Sequence, residues 1–237
     1  MQWQEDAVVL SARPHGESAL LISLIAAGQG RHAGMVPGGQ GRRNRALWQT
    51  GNLLRVTWQA RLAEHLGTVQ GEVRTPHASR WLDDPRRLAG LSAACALSEA
   101  CVAERMPQPG AFAGLAAMLD GLVEADWPSL YVHWELGLLR ALGYGLDLAS
   151  CAATGLTDDL IYVSPKSGRA VSRKAGQPFH GRLLPLPSFL RQGGPGTAAE
   201  VQDGLSLTGF FLETHVLAPQ NRALPPARSR LVERLRA

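Results

Sequence analysis

Ala19-Leu20-Leu21-Ile22-Ser23-Leu24-Ile25, then Gly28-Gln29-Gly30, then Arg31-His32-Ala33-Gly34-Met35-Val36 is the stretch that decides how the N-terminal part folds. Two short runs rich in Leu, Ile and Val flank a glycine pair. Glycine tolerates the positive φ of a tight turn, so the segment reads as a β-hairpin and not as a phosphate loop. Working outward, Ala7 to Ser11, Leu53 to Trp58 and Gly67 to Val73 have the same character and are bounded by Gly, Pro, Asn and His. Five such strands within residues 1–78 suit a small barrel. Gly38-Gly39-Gln40-Gly41-Arg42-Arg43-Asn44-Arg45 has no strand period and reads as a mobile basic loop between the third and fourth strands.

The pattern changes at Thr75-Pro76. Asp83-Asp84-Pro85 is a helix start, with Asp84 as N-cap and Pro85 in the first turn. Helices are expected over 85–105, 111–124, 129–142, 197–217 and 226–236, and Leu136, Leu139 and Leu142 share one face. Between about 147 and 187 the helical period lapses. Leu160 to Ser164 and Arg169 to Ser172 flank Pro165-Lys166-Ser167-Gly168 like a second hairpin. The expectation is an α+β protein with a barrel domain at 1–78 and a helical domain at 79–237 that carries a β insertion.

A chain of 237 residues, 45% of them hydrophobic, can bury a core without staples. Cys95, Cys101 and Cys151 are an odd and sparse set, suited to a reducing cytoplasm, and the first two read as small core residues. Glu5 and Asp6 stand where an export signal would be cationic, and the apolar run Ala19 to Ala27 is too short to span a bilayer. The net charge of +4 hides a strong segregation. Residues 1–80 hold nine basic and five acidic side chains, 81–160 hold four and eleven, and 161–237 hold eleven and four. His15, Glu17 and Ser18 lie close in sequence, but side chains this near along a strand start mostly diverge. There is no Gly-x-Ser-x-Gly elbow, His-Glu-x-x-His or phosphate loop. No catalytic residue is assigned, and the chain is not read as an enzyme.

Three stretches, taken in order, carry a family resemblance. Asp6-Ala7-Val8-Val9-Leu10 followed by Arg13-Pro14-His15-Gly16-Glu17-Ser18 resembles the opening of the RecO family of bacterial recombination mediators. Trp134-Glu135-Leu136-Gly137-Leu138-Leu139-Arg140-Ala141-Leu142-Gly143-Tyr144 is similar to the family's segment ending in Leu-Gly-Tyr, and Asp147 to Cys151 follows it. The hairpin Tyr162 to Ser172 fits the next element. The resemblance implies an N-terminal OB-fold, a helical domain and, in many members, a zinc-ribbon-like insertion. It also implies a function in DNA repair and recombination: binding single- and double-stranded DNA, annealing strands, working with RecR, and helping to load RecA on DNA covered by single-stranded DNA-binding protein. That places the chain at the nucleoid, in the cytoplasm.

Zinc-binding relatives present paired cysteines, since four sulfurs satisfy a tetrahedral ion. Here Cys151 is followed by Ala152, Ala153 and Thr154, no later cysteine exists, and His180 and His215 are the only downstream histidines. The zinc site is expected to be lost, no cofactor is expected, and the insertion is expected to be held by ordinary packing.

OB-folds hold a strand in a basic groove with stacking aromatics. Arg31, Arg42, Arg43, Arg45, Arg55 and Arg61 are the candidates on the barrel. Trp48 and Trp58 are the aromatics weighed, and burial in the core is the favoured reading for both. For Arg42, Arg43 and Arg45 phosphate contact is favoured, because three cations in one glycine-rich loop repel one another without an anion. Arg222, Arg228, Arg230, Arg234 and Arg236 either extend the DNA path or form the exposed face of a terminal helix; Arg228 and Arg230 are carried as candidates. Family members dock the acidic tail of single-stranded DNA-binding protein on the helical domain, and Arg140 with Leu139 has the chemistry for a tail ending in a hydrophobic residue and a carboxylate. Two rivals share this chemistry: a protein-interaction adaptor with little DNA affinity, and an RNA-binding OB-fold factor.

Overall fold

The computed structural model describes residues 1–62 and 64–236, with the side chain of Arg43 outside that description. The chain divides into two compact units, Met1–Leu122 and Val123–Ala237.

The first unit is built on β1 (Gln2–His15), β2 (Ala19–Ala26), β3 (Gly30–Val36), a short helix α1 (Arg42–Leu47), β4 (Leu53–Gln59) and β5 (Gly67–Thr75). The strands close into a barrel in the order β1-β2-β3-β5-β4. β1 makes this possible by serving two neighbours. Gln2 to Val8 pair with β4, Ala7 to His15 pair with β2, and the register shifts between Val9 and Ser11. Such a bulge bends a strand and raises its twist, which carries β1 from one side of the barrel to the other.

Closure is completed by two parallel pairs between β3 and β5, Gly34 with Gly67 and Met35 with Thr68. A Cβ at Gly67 would lie 2.3 Å from the Trp58 ring, and one at Gly34 would lie 2.2 Å from Val69 Cγ2, so only glycine lets the strands meet over that indole. Trp58 Nε1 donates to the Ala33 carbonyl at 3.0 Å across the seam. Inside lie Ala7, Val9, Ile22, Leu24, Leu54, Val56 and Val69, with Trp48 and Trp58 as the largest members. Both tryptophans are only 2% exposed, so they are core residues.

The segment expected as a mobile loop between the third and fourth strands is part turn and part helix. From Arg42 the chain is helical; Trp48 just beyond α1 joins the barrel core, and the buried Asn52 side chain takes up the helix end. Asn52 Nδ2 donates to the Ala46 and Leu47 carbonyls, and its Oδ1 accepts from Ala78 N.

After the barrel come α2 (His77–Arg80), α3 (Pro85–Cys101) and α4 (Pro109–Gly121). Asp84 caps α3 as its sequence requires, accepting from the amides of Arg86 and Arg87, and the Arg87 amide is the main reason its carboxyl is held below the usual range. α3 ends earlier than the expected 105, since Val102 is extended and Arg105 has a φ of 58°. The division expected at 78–79 marks the end of the barrel, but α3 and α4 pack with it. Ser11 Oγ donates to Glu99 at 2.7 Å, and the Arg105 amide donates to the Arg31 carbonyl at 2.7 Å.

The second unit holds α5 (Trp127–Ala141), a sheet of β6 (Leu160–Val163), β7 (Ala170–Ser172) and β8 (Leu184–Pro185) in the order β7-β6-β8, α6 (Arg173–Gly176), α7 (Phe189–Gln192), α8 (Ala198–Phe211) and α9 (Pro226–Arg236). The helix expected over 197–217 is α8 followed by a π-helical turn at Leu212–Leu217. Thr197 and Glu200 form a capping box, and the Ser188 hydroxyl together with the Thr197 amide lowers the Glu200 carboxyl to about 2. A buried ion pair ties α9 to α5. Arg228 Nε and Nη2 reach the two Glu135 carboxylate oxygens at 2.7 and 2.8 Å, Thr208 Oγ1 donates to the same carboxylate, and Arg228 Nη2 also donates to the Leu205 carbonyl. Among the described residues no helix is long and apolar enough to cross a membrane.

Removing one partner of such a pair strands a buried charge. Arg228→Met is therefore expected to cost roughly 3–5 kcal/mol in urea denaturation, and adding Glu135→Met is expected to recover most of it. A single variant as stable as the parent would show that the pair does not anchor α9.

Candidate nucleic-acid interface

An arginine already held by a carboxylate offers a polyanion less net charge than one without such a partner. Of the barrel candidates, Arg31 on β3 is committed internally. Its Nε donates to the Val102 carbonyl at 3.0 Å and its Nη2 lies 3.4 Å from Glu104, with the side chain 20% exposed. This corrects its assignment as a free phosphate ligand. Arg55 on β4 pairs with Asp6 at 3.3 Å, and Arg74 on β5 approaches the same carboxylate at 3.8 Å, leaving a group of two cations and one anion on the outer wall.

Arg42 and Arg45 are exposed on α1, and Arg61 is exposed in the loop between β4 and β5. None of the three has an ion-pair partner among the described residues. The side chain of Arg43 lies outside the described residues. Arg42 and Arg45 sit three positions apart on one short helix, so α1 presents them together.

Trp3 and His32, which sequence reading passed over, pack with the buried Trp58. Trp3 on β1 stacks on Trp58 with centroids 6.0 Å apart, and His32 meets both rings edge-on. Burial is the leading cause that keeps the His32 imidazole below its ordinary pKa, so it is neutral at pH 7. A cavity of about 420 Å³ opens beside this cluster, lined by Trp3, Gln29, His32, Trp58 and Arg105 among others. Also passed over were Arg74 and Arg13, the latter 72% exposed and 4.0 Å from Glu99. For Arg74 the signal was present in the alternation of β5, where it falls in phase with Thr68, Gln70 and Glu72.

In the second unit, Arg230 is exposed on α9 whereas Arg228 is 5% exposed and bound to Glu135. Arg228 is therefore structural, which corrects its assignment to a DNA path. Leu139 is fully buried and offers no contact surface, again a correction. Arg140 is exposed, without an ion-pair partner among the described residues. It lines a groove of about 500 Å³ with Leu136, Gly145, Leu146, Asp147 and Leu148. Asp147 is balanced by Arg169 at 3.2 Å, so Arg140 is the uncompensated charge of that groove.

His15, Glu17 and Ser18 are exposed at the β1–β2 turn, and among the described residues no hydrogen bond joins their side chains. The residues of the insertion do not fit zinc. Cys151 is buried, its Sγ accepts from the Ser172 amide at 3.3 Å and lies 3.6 Å from Ser172 Oγ, while His180 is exposed with Nδ1 on the Gln177 carbonyl. Desolvation pushes the thiol up, but hydrogen bonds from Thr154 and Ser172 outweigh it and bring the thiol down to about 6. Among the described residues no three His, Cys, Asp or Glu side chains converge on a point where a metal would sit.

Two family models match the chain in succession. Residues 1–76 match the family described as Recombination protein O N terminal, and residues 82–224 match Recombination protein O C terminal. The DNA repair protein RecO of Rhodospirillum rubrum is 51% identical over 244 positions, covering 100% of this chain and 97% of the relative. That of Rhodospirillum centenum is 51% identical over 238 positions, covering 100% and 95%, and that of Phenylobacterium zucineum is 46% identical over 237 positions, covering 99% and 98%. With both family segments present in order and about half the residues shared with full-length relatives, the chain belongs to the RecO family.

Proposed function

We propose that this protein is a DNA-binding recombination mediator in DNA repair, without catalytic chemistry of its own. The observation that carries this reading is the set of exposed, uncompensated arginines on the barrel, Arg42, Arg45 and Arg61, on a surface where other arginines are already neutralised. The strand order and the β1 bulge are those expected of an OB-like barrel, a scaffold that grips single strands by backbone charge and aromatic contact. Covering phosphates with arginine lowers the repulsion between two strands, so one protein both holds and anneals them on single- or double-stranded DNA.

The groove at Arg140 supports a partner role. Leu136, Leu146 and Leu148 supply an apolar floor and Arg140 a cation for a terminal carboxylate, the chemistry of the tail of single-stranded DNA-binding protein. In this reading RecR is the working partner, and RecA is loaded downstream on the DNA that the complex clears. The insertion is taken as metal-free, held by Cys151, Ser172 and its three strands.

Arg42→Ala/Arg45→Ala is expected to slow annealing of complementary oligonucleotides. It is also expected to flatten the log–log salt dependence of single-strand binding by about 1.4, at roughly 0.7 for each phosphate that is no longer neutralised. Annealing and slope equal to the parent would move the DNA path off α1, and a parent that binds no DNA yet retains partner binding would favour an adaptor. Arg140→Ala is expected to weaken a peptide ending in a hydrophobic residue and free carboxylate by about tenfold, as for a charge-assisted hydrogen bond. Unchanged affinity, measured by calorimetry, would remove Arg140 from the groove's function.

A further inference from the structure

From Leu160 to Ala199 the chain contains no Asp or Glu, yet it holds six cations: Lys166, Arg169, Arg173, Lys174, Arg182 and Arg191. Two of these are neutralised from outside the run, Arg169 by Asp147 at 3.2 Å and Arg173 by Asp159 at 3.1 Å. Lys174 and Arg182 are exposed and have no carboxylate partner among the described residues. Between them stands Phe179, 57% exposed, on a 3₁₀ turn, Gln177–Arg182, that buries none of its six residues.

The turn is nevertheless firmly mounted. Ser172 caps α6 by accepting from the Ala175 amide, and Gly176 sits so close under Tyr162 that a Cβ there would lie 2.5 Å from the ring. In a 3₁₀ turn residues i and i+3 eclipse, which puts Phe179 and Arg182 on one face. A phenyl ring held out in solvent on the same short turn as an exposed cation without a carboxylate partner presents a stacking face together with a positive charge. It has the composition of a single-strand platform, where the ring stacks on a base and the cations take the flanking phosphates.

We propose that the insertion is a second single-stranded DNA contact surface, formed by Lys174, Phe179 and Arg182 and separate from the barrel arginines. This rests on the reading of the barrel as the first DNA surface and adds where the second strand is held during annealing. The base-tolerant ring and the absence of acidic neighbours favour a strand of any sequence, as annealing requires. With one surface on each compact unit, a single chain carries both strands at once.

The test uses the full-length chain. At saturation the parent is expected to hold two short single strands, and Lys174→Ala/Phe179→Ala/Arg182→Ala to hold one. Annealing by the triple variant is expected to fall on the order of tenfold, as for loss of one stacked base and its phosphates. Phe179→Trp, which keeps a stacking face, is expected to anneal like the parent. All three substituted residues are exposed, so an unchanged far-UV circular dichroism spectrum checks the fold. Parental annealing and stoichiometry in the triple variant would overturn the second surface and leave the barrel reading intact. A parent that binds no single strand at low salt would overturn both.

Discussion

The molecule depends first on how its barrel closes. Strands β3 and β5 run parallel and meet through only two residue pairs, over an indole that fills the interior. That junction works because Gly34 and Gly67 let the backbones approach and because Trp58 answers with a hydrogen bond to Ala33. Once the seam is shut, Trp58 is fixed in the core, Trp3 is stacked on it, and the outward positions of β1, β4 and β5 display Arg13, Arg55 and Arg74. Trp48 is buried in the same core, and just before it α1 carries the exposed Arg42 and Arg45.

Electrostatics then decide which cations are free to act. Counting charge along the chain gives basic ends around an acidic middle, but the working distribution is set by pairs. Asp6 holds Arg55 and Arg74, Glu104 holds Arg31, Asp147 holds Arg169, and Glu135 takes Arg228 out of solvent altogether. Among the exposed cations left without a carboxylate partner among the described residues are Arg42, Arg45 and Arg61 on the barrel, and Lys174, Arg182, Arg230 and Arg140 in the second unit. Exposed pairs of this kind contribute little to stability, so their effect lies in shaping the field that a phosphate backbone meets.

Much of this was legible from residues alone, for reasons that also explain the failures. The β2–β3 hairpin and the Asp84-Pro85 helix start carry local signals, turn glycines and a cap, and local signals need no tertiary knowledge. Arg228 and Arg230 looked equivalent because they are two apart in an arginine-rich segment. Helical phase separates them: Arg228 lies three and seven residues before Leu231 and Leu235, on the buried face, where Glu135 awaits it. Leu139 failed likewise, being next to Arg140 in sequence but on another side of α5, whereas Leu136, four residues back, shares Arg140's groove. The segment at 38–45 was read as loop because its glycines are a local signal while the burial of Trp48 in the barrel core is a tertiary one.

The most direct measurement is fluorescence anisotropy of labelled single-stranded DNA titrated with the intact protein across a range of salt concentrations. The account predicts binding at low salt that weakens steeply and linearly on a log–log plot, as release of several condensed counterions requires. Absence of binding at low salt, or binding indifferent to salt, would contradict the claim that uncompensated arginines on this barrel hold the strand.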